Sequence, residues 1–230
     1  SKIIRLLIIK KTKLNLPDKN GNTALLIATQ YADNENIPGI VKMLIKCKAD
    51  VNIGNTSGNT PLLSACLHKN THLTSNIIKE LLNNNANINC QNNAGWTPLM
   101  LSAYYSYTNS SYLTCELLIK KKANINQVNS LGDTALMISS RHSSDTSSLS
   151  TVKLLIDSKA DLNIQNINLS TALILSCPKI NTTSSFETAQ LLIDSKADLN
   201  LQDKDGWTAL MCIATLGNNY ELIHYLLING

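Results

Sequence analysis

The sequence predicts an all-α repeat fold, a solenoid in which helix–turn–helix units are stacked side by side. The first observation is a Thr-Ala/Pro-Leu triplet that recurs every 37 residues, beginning at Thr23, Thr60, Thr97, Thr134, Thr171 and Thr208. The second is an Ala-Asp/Asn-x-Asn tetrad with the same 37-residue step, ending at Asn52, Asn89, Asn126, Asn163 and Asn200. Two markers in one period indicate a single supersecondary unit copied along the chain.

Residues 128–164 show how each element of one unit forms. The unit opens with a turn, Asn129-Ser130-Leu131-Gly132-Asp133, because Asn and Gly tolerate positive φ. Thr134 then caps a short first helix by accepting a hydrogen bond from a free backbone N–H. A second helix over 151–156 buries its Leu-Leu pair, and the tetrad ending at Asn163 returns to the next turn. In two units a Pro follows the Thr, at the first helical position, where no N–H is missed.

The register divides the chain into one array covering residues 1–230. Its full repeats are 17–53, 54–90, 91–127, 128–164 and 165–201. Residues 1–16 form a partial N-terminal repeat, and 202–230 form a partial C-terminal repeat. We therefore expect a fragment of a longer array, in which each unit contacts its neighbours and the N-terminal partial repeat unfolds first.

The segments 58–66, 77–82 and 85–89 make the unit resemble the ankyrin repeat, with its β-turn or hairpin finger, its helix opened by Thr-Pro-Leu and its Leu-Leu helix. Two departures are systematic. The period exceeds the common 33 residues, with the extra residues between the helices. The family's His after Thr-Pro-Leu is replaced by an apolar residue, which predicts apolar packing in place of an inter-repeat hydrogen bond. The replacements are Leu26, Leu63, Met100, Met137, Ile174 and Met211.

Composition argues against several functional classes. The net charge is +4, and acidic and basic residues are interspersed. The sequence therefore does not show the clustered basic face that would indicate nucleic-acid binding. No apolar run approaches the roughly 20 residues of a membrane span, and no signal peptide is recognisable. Abundant Lys, Asn and Ile, which have AT-rich codons, indicate a large DNA virus, an intracellular bacterium or a protist as the source.

The cysteines and histidines do not predict a catalytic or metal site. The six cysteines are spread over five repeats and show no Cys-x-x-Cys spacing, which favours buried reduced thiols in a cytoplasmic protein, in the host cell if the source is viral. His68 and His72 could share a helical face for a metal, but the unit offers no third ligand, and a solvent-exposed pair is expected. We predict a non-enzymatic monomer with no cofactor and no small-molecule substrate.

The resemblance implies that a partner protein binds the concave groove formed by the finger tips and the exposed side of the first helices. Carried onto this chain, it predicts contacts from Asn20, Asn22, Asn59, Trp96, Tyr104, Tyr105, Asp133, Arg141, His142, Lys204, Asp205 and Trp207. Two alternatives stay open: the Trp residues could pack on neighbouring fingers, and the Tyr-Arg-His patch could be an ordinary solvated helix face.

The resemblance also makes the tetrad asparagines candidate substrates for the asparaginyl hydroxylase that modifies ankyrin repeats: Asn52, Asn89, Asn126, Asn163 and Asn200. From the residues alone we expect these side chains to fix the finger loops. Leu169 stands where the other fingers have Gly, so a different turn is expected there, with Asn168 in the left-handed conformation.

The function predicted is a protein-binding scaffold, which for a viral protein would capture a host protein. Two alternatives remain: a structural or assembly array without a client, and the recognition arm of a ubiquitin-ligase adaptor whose ligase-binding segment lies outside these residues.

Overall fold

The computed structural model describes residues 13–67, 72–105, 109–142, 149–177, 183–215 and 220–229. Within these ranges the chain forms helices and turns and no strand, so the all-α repeat prediction is confirmed. In chain order the helices are α1 (Ala24–Gln30), α2 (Ile37–Lys46), α3 (Pro61–Cys66), α4 (His72–Asn83), α5 (Pro98–Tyr104), α6 (Asn109–Lys120), α7 (Ala135–Arg141), α8 (Leu149–Asp157), α9 (Ala172–Ser176), α10 (Thr183–Asp194), α11 (Ala209–Ala214) and α12 (Tyr220–Asn229).

The chain forms two compact units, residues 1–101 and 102–230, called unit 1 and unit 2. In unit 1 the first helices α1 and α3 pack together, and the second helices α2 and α4 pack together. Unit 2 repeats this arrangement, with α7, α9 and α11 in one layer and α6, α8, α10 and α12 in the other. Within each unit, these layers bury apolar residues between neighbouring repeats.

The residue that follows each Thr-Ala/Pro-Leu triplet is apolar, at the position where the resembling family usually has His. Leu26 and Leu63 are fully buried, and Met100, Met137 and Ile174 are nearly so. Met211 differs, because 49% of its surface is exposed. The expected apolar packing is therefore confirmed in five repeats and is only partial at Met211.

Every first helix begins directly after the Thr of the triplet, which caps it as predicted. The Oγ1 atoms accept from the backbone N–H three residues on, at 3.2–3.3 Å. The first helices are only 5 to 7 residues long, too short to be stable alone, so cap and packing together define them.

Five of the second helices, α2, α4, α6, α8 and α10, are followed by a left-handed residue that the sequence prediction missed. This residue has φ of 65–72°, and the N–H of the following Ala bonds back to the helix, as in Ala49 N to Leu44 O at 3.0 Å. The position favours Gly, but here it is occupied by Lys48, Asn85, Lys122, Lys159 and Lys196.

Several predictions concern residues outside the described ranges. Residues 1–12, which hold most of the partial N-terminal repeat, are among them, as is His68 of the His68–His72 pair. So is the Ser/Thr-rich extension at 143–148. The division into one array of five full repeats remains a prediction.

Candidate functional site

We use the name finger for the five residues before each capping Thr, and the first of these organises the loop. In the fourth repeat the Oδ1 atom of Asn129 accepts from the N–H groups of Leu131 and Asp133, both at 2.9 Å. The same pair of bonds recurs in all six fingers. The residues that accept them are Asp18, Asn55, Asn92, Asn129, Asn166 and Asp203.

These finger-organising residues correct the role expected for the tetrad asparagines. The tetrad side chains do not fold their own finger; they connect neighbouring repeats. Asn52 Oδ1 accepts from Asn87 N at 2.7 Å, and Asn163 Oδ1 accepts from Asp198 N at 2.8 Å. The sequence carried the correct signal, because the finger-organising residues also recur every 37 positions.

The turn predicted at Leu169 is also wrong. Leu169 itself is left-handed, with φ of 55°, and its N–H bonds to Asn166 O at 2.8 Å, as in a Gly finger. The two bonds to Asn166 Oδ1 and the cross-finger bonds on both sides hold the backbone in this shape. A favourable network thus overrides the conformational preference of one residue.

Adjacent fingers are joined by backbone and side-chain bonds within each unit. Backbone bonds such as Ile167 N to Leu131 O at 3.0 Å connect their tips. The fifth finger residue accepts from the Asn that organises the next finger, as when Asn55 Nδ2 donates to Asn22 Oδ1 at 3.0 Å. Asn92 donates in the same way to Asn59, at 3.1 Å. Two predicted contact residues, Asn22 and Asn59, therefore hold the fingers together.

Asp133 and Arg141 form a bonded pair inside unit 2. The Arg141 guanidinium donates to both carboxylate oxygens of Asp133, at 3.0 and 3.2 Å. Asn166 Nδ2 also donates to Asp133, at 2.7 Å, and only 2% of the Asp133 surface is exposed. Asp133 is thus enclosed and engaged by three donors, while Arg141, whose side chain is 33% exposed, retains some accessible surface.

Tyr104, Tyr105 and His142 form a cluster of aromatic rings, which we call the ring cluster. The Tyr104 ring meets the rings of Tyr105 and His142 edge to face, with centroids 4.8 Å apart in each pair. All three residues are half-buried and stand where the first helices α5 and α7 end. The structure therefore brings together three residues predicted to share a patch.

The remaining predicted contact residues lie on fingers. Asn20, Lys204 and Asp205 are exposed, and Trp207 is 40% exposed. Trp96, in unit 1, is half-buried. Trp207 thus offers the larger accessible indole surface.

The predicted contact residues favour aromatic, charged and amide side chains, and so leave out three aliphatic finger residues of unit 2. Leu131, Ile167 and Leu169 are each about half exposed or more. The available signal was that large apolar residues occupy finger positions that hold small or polar residues in other fingers.

The hydroxylation candidates lie on the surface but are partly engaged. Asn52, Asn126, Asn163 and Asn200 are exposed, and Asn89 is half-buried. Asn126 Oδ1, for example, accepts from Asp161 N at 2.9 Å. Modification of such a side chain would require this inter-repeat bond to adapt.

Three thiols stand out among the titratable groups of the described residues. Burial raises the pKa values of the Cys90, Cys177 and Cys212 thiols, which keeps them protonated at neutral pH. Among the described residues no group of three or more His, Cys, Asp or Glu could hold a metal ion. In the same part of the chain, no helix is both long and apolar enough to cross a membrane.

Comparison with solved structures finds the same architecture. A crystal structure of EF0377, an ankyrin repeat protein, superimposes with a TM-score of 0.75 at 25% sequence identity, covering 92% of this chain and 98% of that one. The ankyrin repeat domain of Bcl-3, a unique member of the IkappaB protein family, gives 0.74 at 22% identity, covering 94% and 90%. A search of curated proteins finds no significant sequence match.

The family comparison agrees with the fold. The family model for ankyrin repeats, which comprises three copies, matches residues 1–75, 71–166 and 143–230. These three matches together extend over the whole sequence, and the chain therefore belongs to the ankyrin-repeat family.

Proposed function

We propose that this chain is a non-enzymatic scaffold that binds a partner protein through the ring cluster of unit 2 and the fingers beside it. Ankyrin repeats are generally protein–protein interaction modules, and the chain belongs to that family. The observation that carries the proposal is the ring cluster itself, in which three half-buried rings meet at the ends of two neighbouring first helices.

The physical reason is that aromatic side chains contribute much contact area for little loss of conformational freedom. Binding hot spots are enriched in Tyr, Trp and Arg, and Tyr has only two rotatable side-chain bonds to fix. The contacts between the rings already restrict those bonds before a partner arrives. Arg141, held by Asp133, adds a cation on the residue next to His142.

The test compares capture by three forms of the chain. The wild type and a Tyr104→Ala/Tyr105→Ala/His142→Ala variant are used as baits in a cell lysate, and circular dichroism verifies that both are folded. Tyr31→Ala is the matched control, because Tyr31 lies in the same repeat position as Tyr105, is 65% exposed and lies in unit 1.

We expect a protein that is captured by the wild type and by Tyr31→Ala and lost with the triple variant. Its purified form should bind the triple variant at least about tenfold more weakly by calorimetry, as for a hot-spot cluster. Identical captured proteins for all three baits would reject the ring cluster as the binding surface and favour a structural array. The identity of the captured protein would also decide between host capture and a ligase-adaptor role.

We also propose a cytoplasmic location. Cys66, Cys115 and Cys177 are fully buried thiols in the structure, and a reducing compartment preserves such thiols. Fractionation of the cells that produce the protein would test this.

A further inference from the structure

Unit 2 carries four large apolar side chains on its fingers, which we call the apolar row: Leu131, Ile167, Leu169 and Trp207. Their surfaces are 52%, 63%, 48% and 40% exposed, respectively. Backbone bonds from Ile167 N to Leu131 O and from Lys204 N to Asn168 O, at 3.0 and 2.9 Å, join the three fingers that carry them. The four side chains therefore stand on directly adjacent loops.

The fingers of unit 1 differ in character although their backbone bonds are the same. Thr56 N bonds to Asn20 O at 2.9 Å, and Asn93 N bonds to Ser57 O at 3.0 Å. These residues, which occupy the positions equivalent to Ile167 and Leu131, are polar and exposed. The repeat architecture therefore does not require apolar finger tips, and the apolar row needs another explanation.

Leu169 provides a second, independent observation. It adopts φ of 55° at the position where the other five fingers have Gly with φ of 75–82°. The left-handed conformation is unfavourable for a branched side chain, and Leu169, about half exposed, gains little burial in return. The other left-handed residues that carry side chains follow second helices, whereas Leu169 lies in a finger and ends no helix. Strained residues outside helix ends concentrate at ligand-contact sites, so Leu169 is a candidate contact residue.

The charges around the apolar row define the partner. The finger residues Ser130, Leu131, Ile167, Asn168 and Leu169 carry no ionisable group, and Asp133 is buried and paired with Arg141. Charged side chains on the fingers of unit 2 are otherwise confined to the last one. There Asp203 is engaged by two backbone N–H groups of its own finger, and Lys204 and Asp205 offset each other. A partner charge placed on the row would lose hydration without gaining a counter-charge.

We propose that the apolar row docks a segment of the partner protein that presents bulky uncharged side chains, such as Leu, Ile, Val, Met or Phe, with Leu169 as a contact residue. This inference rests on the proposed function and names the chemistry of the partner. The uncharged row is complementary to an uncharged apolar segment, and a charged segment would be selected against. The ring cluster then supplies a separate part of the same binding surface.

The experiment is a selection from a random twelve-residue peptide library displayed on phage, using the full chain as target. We expect enriched peptides to share two or more bulky apolar residues free of charged neighbours. Binding of a labelled enriched peptide, followed by fluorescence polarisation, should weaken at least tenfold in both Leu169→Gly and Ile167→Ser. The Gly variant relieves the strained backbone, so its loss of binding cannot come from unfolding. The matched control, Thr56→Ser, changes the equivalent of Ile167 in unit 1 and should leave binding unchanged.

The remaining outcomes each decide the question. Enrichment of charged peptides, or no enrichment above a bare-bead control, would overturn the inference. Peptides that bind both row variants normally but fail to bind the Tyr104→Ala/Tyr105→Ala/His142→Ala variant would overturn it too, while supporting the proposed function. A dimer seen by sedimentation in the wild type and lost in Ile167→Ser would show that a second copy of the chain covers the row instead.

Discussion

The residue that organises each finger is Asn or Asp according to what the preceding finger requires. Asn166 uses its oxygen within its own finger and its Nδ2 to reach Asp133. Asp203 uses its carboxylate only to accept the two N–H bonds of its own finger. The residue opposite it in the preceding finger is Ser170, which does not require a hydrogen-bond donor. A carboxylate accepts but cannot donate, so Asn is needed wherever the preceding finger presents an acceptor.

Asn129 departs from this pairing. It is buried, and within the described residues its Nδ2 atom has no hydrogen-bond partner.

Asp18 should make the stability of the first finger depend on pH. The side chain and backbone N–H of Asn22 donate to its carboxylate, and these bonds lower the Asp18 pKa below its usual 3.8. A lowered pKa in the folded state contributes stability above pH 4, and this contribution is lost as the pH falls through the folded-state pKa. Urea unfolding at pH 6, 4 and 2.5 should show wild type losing more stability than Asp18→Asn, whose amide oxygen does not titrate. Parallel losses in the two proteins would contradict this account.

Leu169→Gly should stabilise the protein by about 1 kcal/mol. Relief of a left-handed non-Gly residue gains about 1–2 kcal/mol, while the greater freedom of Gly in the unfolded chain costs about 0.5–1 kcal/mol. Urea unfolding measures the difference. Leu169→Ala is the control, because it removes most of the side chain but keeps the strained φ, and it should give no gain. A Gly variant less stable than the Ala variant would mean that Leu169 is not strained.

At this scale, features that follow the usual residue preferences could be predicted, whereas exceptions to those preferences could not. The capping Thr residues were predictable because each needs only its own helix. The left-handed turn at Leu169 was not, because bonds from neighbouring fingers decide it. The burial of Asp133 was likewise hidden, since it depends on Arg141, eight residues later, and on Asn166 of the next repeat.

At the scale of elements, the first helices depend on their caps more than longer helices would. A five- to seven-residue helix forms few internal hydrogen bonds. Each N–H group that is capped at its start therefore accounts for a large share of the hydrogen bonds that stabilise the helix. The second helices, of 9 to 12 residues, include more buried residues on one side and end in a left-handed turn. Sequence periodicity located both kinds of helix, but the lysines that end the second helices contradict the usual preference for Gly.

Thr134→Ala should destabilise unit 2 by about 1 kcal/mol, the usual cost of removing a cap. Thr134 Oγ1 accepts from Met137 N at 3.2 Å at the start of α7, and the residue is 2% exposed, so water cannot easily replace the bond. Thr134→Ser keeps the hydroxyl and should recover most of the loss. Thermal unfolding followed by circular dichroism measures both variants. Equal loss in Ser and Ala would assign the effect to the missing methyl group instead of the cap.

At the scale of the whole molecule, stability in a repeat array is approximately a sum of repeat and neighbour terms. Within unit 2, α9 packs on both α7 and α11, and α10 packs on both α8 and α12. The repeat 165–201 therefore contacts one neighbouring repeat on each side. On both sides its first helix packs on a first helix and its second helix packs on a second helix. Its removal should leave α7 and α8 able to pack on α11 and α12.

Deletion of residues 165–201 should therefore give a folded chain, but one with a specific defect. The cut places Asp203 in the position of Asn166, opposite the buried Asp133 carboxylate. A donor is then replaced by a second acceptor of the same charge, which leaves a buried charged group short of a partner, at a cost of about 2 kcal/mol or more. Restoring the donor with Asp203→Asn should recover that loss.

The same substitution in the full chain provides the matched control. There Asp203 is opposite Ser170, and both Asp and Asn can accept the two N–H bonds of the finger, so Asp203→Asn should change the free energy of unfolding by under about 0.5 kcal/mol. Urea unfolding of the four proteins forms a double-mutant cycle whose coupling energy isolates the new Asp133–residue 203 contact. A coupling energy near zero would show that the repeats of unit 2 are not interchangeable in this register, and that Asn166 is not required by the finger before it.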